Sequence, residues 1–271
     1  MHEFSNADLK KLAERRGSAA PRHANRVAVV TGASRGLGKF FAEVLAGEGA
    51  HVILAVRSQG ALQESVTAID RAGGTSHAVE MDVTQVESVT TAFETMVERW
   101  GVPTIVINNA AVTEMVETLK QTPESFARIL DTDLRGCWLV AREAARHILA
   151  KGGGGSIVNV ASILGLRQGG QLTAYATAKA ALIQLTKQLA LEWARHQIRV
   201  NALAPGYFET DINREFFATE KGHALIRRIP MRRLGRLEDL VEPLMLLAGD
   251  GGAFITGAVL PVDGGHLVSS L

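Results

Sequence analysis

One cysteine, Cys137, is all that the 271 residues contain. An intramolecular disulfide framework is thereby excluded, and so is a metal centre built from several thiolates. Charge of one sign is lacking as well: 29 Lys and Arg face 28 Asp and Glu, a formal net charge of +1. No broad field exists to hold nucleic acid or an anionic membrane, so partners must be recognised by local sites. Long hydrophobic runs are missing too. Nothing is apolar over the ~20 residues that a bilayer-spanning helix needs, and Met1 to Asn25 hold no apolar stretch of signal-peptide length. These absences predict a soluble protein of the reducing cytoplasm. No internal repeat with a period of roughly 20 to 50 residues is visible.

What is present, 46% hydrophobic and 21% charged residues, suits one large buried core. From Arg26 onward, short Val- and Ile-rich runs alternate with amphipathic stretches. The candidate strands are Val27 to Thr31, His51 to Val56, Ser76 to Glu80, Thr104 to Ile107, Ser156 to Val160, Ile198 to Ala202 and Ala258 to Val262. Continuous apolar runs such as Val52-Ile53-Leu54-Ala55-Val56 fit strands covered on both faces. The pattern predicts an α/β fold over residues 26–271: a single doubly wound, Rossmann-like domain with a seven-stranded parallel sheet and helices on both faces. The clearest helix is Thr173 to Ala194, where Leu182, Leu185, Leu189 and Trp193 recur at three- and four-residue steps. Gly152 to Gly155 read as a flexible loop, and the polar residues 1–25 as a flexible amino-terminal arm.

Two features carry chemistry. In Thr31-Gly32-Ala33-Ser34-Arg35-Gly36-Leu37-Gly38, a strand turns into a helix through three glycines. Glycines let backbone approach a diphosphate closely, and free amides at the helix start favour the anion. An ordinary strand-to-helix turn needs only one. Further on, Tyr175-Ala176-Thr177-Ala178-Lys179 sets a phenol and an ammonium four residues apart on one helix face. A free phenol titrates near pH 10, too high for a base at neutral pH. A cation about 5 Å away in an effective dielectric near 20 stabilises a phenolate by roughly 3 kcal/mol, bringing proton transfer within range.

The turn TGASRGLG closely resembles that of classical short-chain dehydrogenases/reductases, and the resemblance runs from Arg26 to Gly265. It includes Asp82-Val83, Asn108-Asn109-Ala110-Ala111, Ser162, Tyr175 with Lys179, Pro205-Gly206 and Asp263-Gly264-Gly265, in that order. The resemblance implies interconversion of a ketone and a secondary alcohol on a nicotinamide cofactor. Tyr175 would be the proton-transfer residue, Ser162 the hydroxyl that orients the substrate oxygen, and Lys179 the group that holds the nicotinamide ribose and tunes the phenol. The scheme needs no metal. The cofactor would meet Gly32, Ser34, Arg35, Gly36, Leu37 and Gly38 at the turn, Asp82 and Val83 beside adenine, Asn109, and Phe208 and Thr210 near the carboxamide. Two positions depart from the family. Ala111 replaces a glycine, where a positive backbone angle would be strained. Asp133 stands where the family has an asparagine that holds a water in the proton relay, which leaves this fourth catalytic position open.

Enzymes that favour the unphosphorylated cofactor usually carry an acid after the second strand. Here that position is Val56, followed by Arg57. Arg57 and Arg35 together can meet a ribose phosphate, so NADP(H) is expected over NAD(H). Ile163, Leu164, Thr113 and Phe208 are candidate pocket walls, with core filling as the equal alternative. Arg167, Glu209 and Arg214 are candidate polar contacts, and Asp211 to Pro230 a helical lid. Apolar walls favour a small or medium-sized ketone over a polyol. Three classes stand: a reductase or dehydrogenase of free small molecules, a 3-oxoacyl-carrier-protein reductase, and a non-catalytic cofactor-binding regulator. For the second, Gly152 to Gly155 and Leu191 offer a poor surface to an acidic carrier. The resemblance also implies a homo-oligomer, a tetramer, to which Trp138, Leu139 and Val140 can contribute a face or, equally, core.

Overall fold

Strands form where β-branched residues run together, and in the computed structural model, which describes residues 21–58, 63–209 and 214–269, all seven belong to one sheet. They are β1 (Val27–Thr31), β2 (His51–Val56), β3 (Thr75–Glu80), β4 (Ile105–Asn108), β5 (Gly155–Val160), β6 (Ile198–Pro205) and β7 (Val259–Val262). Every pairing is parallel, and the order is β3-β2-β1-β4-β5-β6-β7. The order reverses direction between β1 and β4, the place where an open α/β sheet leaves a crevice at its carboxyl edge.

The helices are α1 (Gly36–Gly47), α2 (Gln63–Arg71), α3 (Val86–Trp100), α4 (Pro123–Leu130), α5 (Cys137–Lys151), α6 (Thr173–Trp193), α7 (Arg214–Phe217), α8 (Glu220–Ile226) and α9 (Val241–Ala248). Successive β1 side chains enter opposite cores, as the period of two requires. Ala28 and Val30 pack with Phe40, Phe41, Ile69, Leu244 and Met245 of α1, α2 and α9. Val29 packs with Phe93, Met96, Val140, Ile148 and Leu189 of α3, α5 and α6. The doubly wound expectation is therefore met, with helices on both faces.

Strand ends differ modestly from the sequence reading. β5 begins at Gly155, inside the expected loop, and β6 continues to Pro205 because Leu203, Ala204 and Pro205 pair with Leu260, Pro261 and Val262. The arm needs a larger correction. Residues 1–20 lie outside the described residues, but Pro21 to Asn25 are docked and not loose. His23 is fully buried and its backbone N–H donates to the Glu48 carbonyl at 2.9 Å, while Arg22 pairs with Glu48 at 2.7 Å and Glu242 at 2.9 Å. These contacts join residues distant in sequence, so local composition did not announce them.

A buried polar ladder braces the sheet centre. Asn108 Nδ2 at the end of β4 donates to Asn159 Oδ1 on β5 at 2.9 Å and to the Cys137 carbonyl at 3.1 Å. Asn159 Nδ2 donates in turn to Thr186 Oγ1 on α6 at 2.9 Å, and that hydroxyl donates to the Leu182 carbonyl at 2.8 Å. The strands and helices that carry the candidate site are thus tied to one another through hydrogen bonds that water does not reach.

Candidate active site

The turn from β1 into α1 opens onto a cleft of about 910 Å³. Gly36 has a positive φ of 56°, with open space where a Cβ would stand; at Gly38 a Cβ would lie 2.4 Å from both the Asn109 side chain and the Gly32 carbonyl. Both positions therefore require glycine, the first for conformation and the second for close approach. Asn109 Nδ2 donates to the Thr31 carbonyl at 3.0 Å and the Gly32 carbonyl at 3.3 Å, fixing the turn to the end of β4.

Of the residues expected to meet a cofactor, Gly32, Ser34, Arg35, Gly36, Leu37, Arg57, Asp82, Val83 and Asn109 all line this cleft. Gly38 is buried behind the turn. Asp82 turns one carboxylate oxygen back to the Thr84 amide at 2.9 Å and the Thr84 hydroxyl at 2.7 Å. Arg35 and Arg57 are exposed and carry no ion pair among the described residues. An open cradle of glycines with two uncommitted guanidinium groups fits a phosphorylated dinucleotide. Sequence reasoning missed Arg128 and Arg135, which also line the cleft. Arg128 pairs with Glu114 at 3.1 Å, and Arg135 donates to the Thr84 carbonyl at 2.8 Å.

Ala111 borders the cleft, and it is not among the residues with positive φ. The strain anticipated there does not arise. Thr210 lies outside the described residues. Phe208 is 5% exposed and its side chain belongs to the core cluster with Leu240 and Val241, its ring so close to Gly235 that a Cβ there would fall 2.4 Å from Phe208 Cε1. Its size and apolarity are satisfied by burial. Ile163 and Leu164 are likewise buried, whereas Thr113 is exposed.

Ser162, Tyr175 and Lys179 are not among the residues lining the cleft; contacts between the end of β5 and α6 bring them near one another. Ser162 follows β5, and its hydroxyl oxygen accepts the Leu164 N–H at 3.1 Å, which leaves the hydroxyl hydrogen free to donate. The turn after it lies directly on α6: a Cβ at Gly165 would stand 2.8 Å from the Lys179 carbonyl. On α6, Lys179 Nζ sits 5.5 Å from the centre of the Tyr175 ring. The ammonium is buried, donates to the Val160 carbonyl at 3.0 Å and pairs with Asp133 Oδ2 at 3.3 Å.

Asp133 owes its position to a π-helical turn, Asp131–Gly136, inserted between α4 and α5. Such turns present side chains in directions an α-helix does not. Fully buried, Asp133 accepts the Val112 N–H at 2.7 Å through its other oxygen. Burial pushes its carboxyl above the usual range, opposed by Lys179 and the Val112 amide. Burial also works against the Lys179 ammonium, but Asp133 and Tyr175 outweigh it and hold the lysine above its ordinary value. Cys137 is inert by comparison, its thiol pushed up to about 12 by burial.

The candidate polar contacts are taken by internal partners. Arg167 Nη1 donates to the His266 carbonyl, and Arg214 Nε donates to Glu209 at 3.0 Å. The expected lid is helical over α7 and α8, with 211–213 outside the described residues. Among the described residues, no helix is long and apolar enough to cross a membrane, and no cluster of three or more metal-ligating side chains occurs.

Residues 32–266 match the family model described as enoyl-(acyl carrier protein) reductase. The 3beta-hydroxysteroid dehydrogenase 1 of Eggerthella lenta is 38% identical over 243 residues, covering 89% of this chain and 93% of that protein. The 3-oxoacyl-[acyl-carrier-protein] reductase of Pseudomonas aeruginosa is 34% identical, covering 90% and 98% respectively. Among solved structures, a gluconate 5-dehydrogenase from Burkholderia cenocepacia in complex with NADP and tartrate superposes with a TM-score of 0.88 at 30% identity, over 93% of this chain and 98% of that one.

Proposed function

Since this chain belongs to the classical short-chain dehydrogenase/reductase family and is an NAD(P)-dependent enzyme of the CH–OH/C=O couple, we propose that it uses NADP(H) to interconvert a small or medium-sized free ketone and its secondary alcohol. The observation that supports this reading is the buried Lys179 ammonium, which sits 5.5 Å from the centre of the Tyr175 ring and donates to the carbonyl of Val160, two residues before Ser162. Arg35 and Arg57 support the phosphorylated cofactor, as does the absence of an acid at Val56. The NADP of the Burkholderia cenocepacia structure agrees with it.

When bound, the nicotinamide supplies hydride to the carbonyl carbon or accepts it from the alcohol. Ser162, its oxygen already engaged by the Leu164 amide, donates its hydrogen to the substrate oxygen and orients it. Tyr175 gives that oxygen a proton in reduction and takes one in oxidation. Lys179, fixed by the Val160 carbonyl and Asp133, keeps a positive charge beside the phenol and would hold the ribose of the cofactor. Gly38 shapes the cradle; Asp82 and Val83 would hold the adenine, and Asn109 would support the cofactor and the central strand. Phe208 acts through packing, and Thr210 is assigned to the carboxamide by resemblance. The same reading makes the protein a cytoplasmic homotetramer, which the exposed Trp138 on α5 supports; Leu139 and Val140 are buried in the core.

A panel of ketones and one 3-oxoacyl thioester, assayed with NADPH, tests the reading. We expect turnover of free ketones and at least a hundredfold loss in Tyr175→Phe, since general acid catalysis contributes about 10² to 10⁴, with NADPH affinity nearly unchanged. Unchanged turnover in the variant would remove Tyr175 from its role, and a preference for the thioester would favour the carrier-protein reading.

A further inference from the structure

We propose that the mouth of this site takes an uncharged, apolar secondary alcohol or its ketone and discriminates against hydroxy acids. The inference rests on the assignment of Ser162, Tyr175 and Lys179 as the reacting end. Four chain segments border that end, and each contributes an apolar or aromatic side chain.

The turn starting at Ser162 leaves Leu166 43% exposed. The segment after β4 leaves Met115 67% exposed, and it is strapped to the residues leading into Tyr175: the Val116 N–H donates to the Gln171 carbonyl at 2.8 Å, and the Thr118 and Thr173 hydroxyls lie 2.6 Å apart. After β6 stands Tyr207, the second of the two tyrosines in the chain, whose burial-raised phenol lies within the electrostatic reach of Tyr175. Its ring meets Phe217 edge-on at 6.0 Å and His266 at 5.5 Å. Phe216, 43% exposed, extends this aromatic wall through Phe217 at 5.3 Å.

Three of the charged side chains at the same place are committed elsewhere. Arg167 holds the His266 carbonyl, Glu209 pairs with Arg214 at 3.0 Å, and Glu114 bonds Ser125 and pairs with Arg128 at 3.1 Å. A substrate carboxylate entering here must break such a pair or lose its water unpaired, either of which is unfavourable. Apolar bulk, by contrast, gains with each methylene covered. One cation tests this logic: Arg228, exposed on the lid side and in the field of His266, has no acidic partner among the described residues.

The experiment compares kcat/KM of the full-length protein, at saturating cofactor, for cis-4-methylcyclohexanol, cis-4-ethylcyclohexanol, cis-4-propylcyclohexanol, cis-4-hydroxycyclohexanecarboxylate and gluconate. We expect KM to fall about three- to fourfold per added methylene, with kcat nearly constant, and the two carboxylates to lag the methyl compound at least tenfold. Leu166→Gln and Phe216→Gln should each flatten the alkyl series. A carboxylate preferred over the methyl compound, above all one whose advantage disappears in Arg228→Ala, overturns the inference and leaves the redox assignment standing. No turnover of any member by protein that binds NADPH overturns both.

Discussion

Replacing Asp133 with asparagine removes one negative charge and little else. The carboxylate lies 3.3 Å from Lys179 Nζ, which lies 5.5 Å from the centre of the Tyr175 ring, so the charge is no more than roughly 9 Å from that ring. At an effective dielectric near 20 such a separation corresponds to about 2 kcal/mol, and at twice that dielectric to about 1 kcal/mol. The sign follows from the order of charges. Asp133 offsets the ammonium that stabilises phenolate, so the neutral amide leaves the ammonium unopposed and proton abstraction from the alcohol begins at lower pH. The apparent pKa of the alkaline limb of alcohol oxidation should fall by on the order of 1 unit, while the limiting kcat changes less than about tenfold. Steady-state oxidation rates from about pH 6 to about pH 10 for the wild type and Asp133→Asn, a range that spans the approach to the ordinary phenol value, provide the measurement. A limb that stays put or moves upward would refute the reasoning and show that the carboxylate acts chiefly to keep Lys179 protonated. A large rise in kcat in the variant at every pH would mean that the aspartate impairs the relay itself.

Arg57→Ala should lower kcat/KM for NADPH at least tenfold and leave that for NADH nearly unchanged, because a charge-assisted phosphate contact is worth about 1.5–3 kcal/mol; a wild-type preference for NADH contradicts the assignment. Glu43, 5% exposed on α1, is pushed by burial from 4.5 to about 7, opposed by Lys39. The fold therefore favours its protonated form, and that contribution is full below about pH 4.5 and lost as pH rises through about 7. Glu43→Gln should raise the thermal midpoint by several degrees at about pH 8 and hardly at about pH 5, given that about 1 kcal/mol moves a chain of this size roughly 2–4 °C; equal changes at both pH values rule this out. Light scattering at micromolar concentration should report about four times the 29.0 kDa chain mass, and Trp138→Glu should reduce it; the monomer mass alone in the wild type would remove the tetramer.

The seven strands were legible because buried parallel strands write themselves as local runs of Val and Ile, and the cradle because three closely spaced glycines have few other uses. The four-residue step put Tyr175 and Lys179 on one helix face, but such spacing alone is weak, and it was Ser162 upstream together with the family resemblance that singled the pair out. What stayed hidden depends on contacts remote in sequence. Nothing around Asp133 signals the π-helical turn that carries its carboxylate to Lys179, 46 positions further on. The burial of the Phe208 ring against Gly235 was hidden as well, because an aromatic residue in a cofactor loop and one in a core look alike in sequence. Likewise, the docking of Pro21 to Asn25 depends on Glu48, Glu242 and α9, and composition, which describes neighbours in sequence, cannot reveal it.

The amide ladder from Asn108 through Asn159 to Thr186 has a consequence for redesign. It works as a registration key: shifting β4 against β5, or either against α6, strands buried amides at about 1–3 kcal/mol each. The chassis that aligns Ser162 with Tyr175 and Lys179 is thus specified beneath the sheet edge, while Met115, Leu166 and Phe216 stand outside it on segments that make none of its bonds. A combinatorial library confined to those three positions can sample many side chains with the proton-transfer geometry left intact, so the front end of this protein can be exchanged as a separate module.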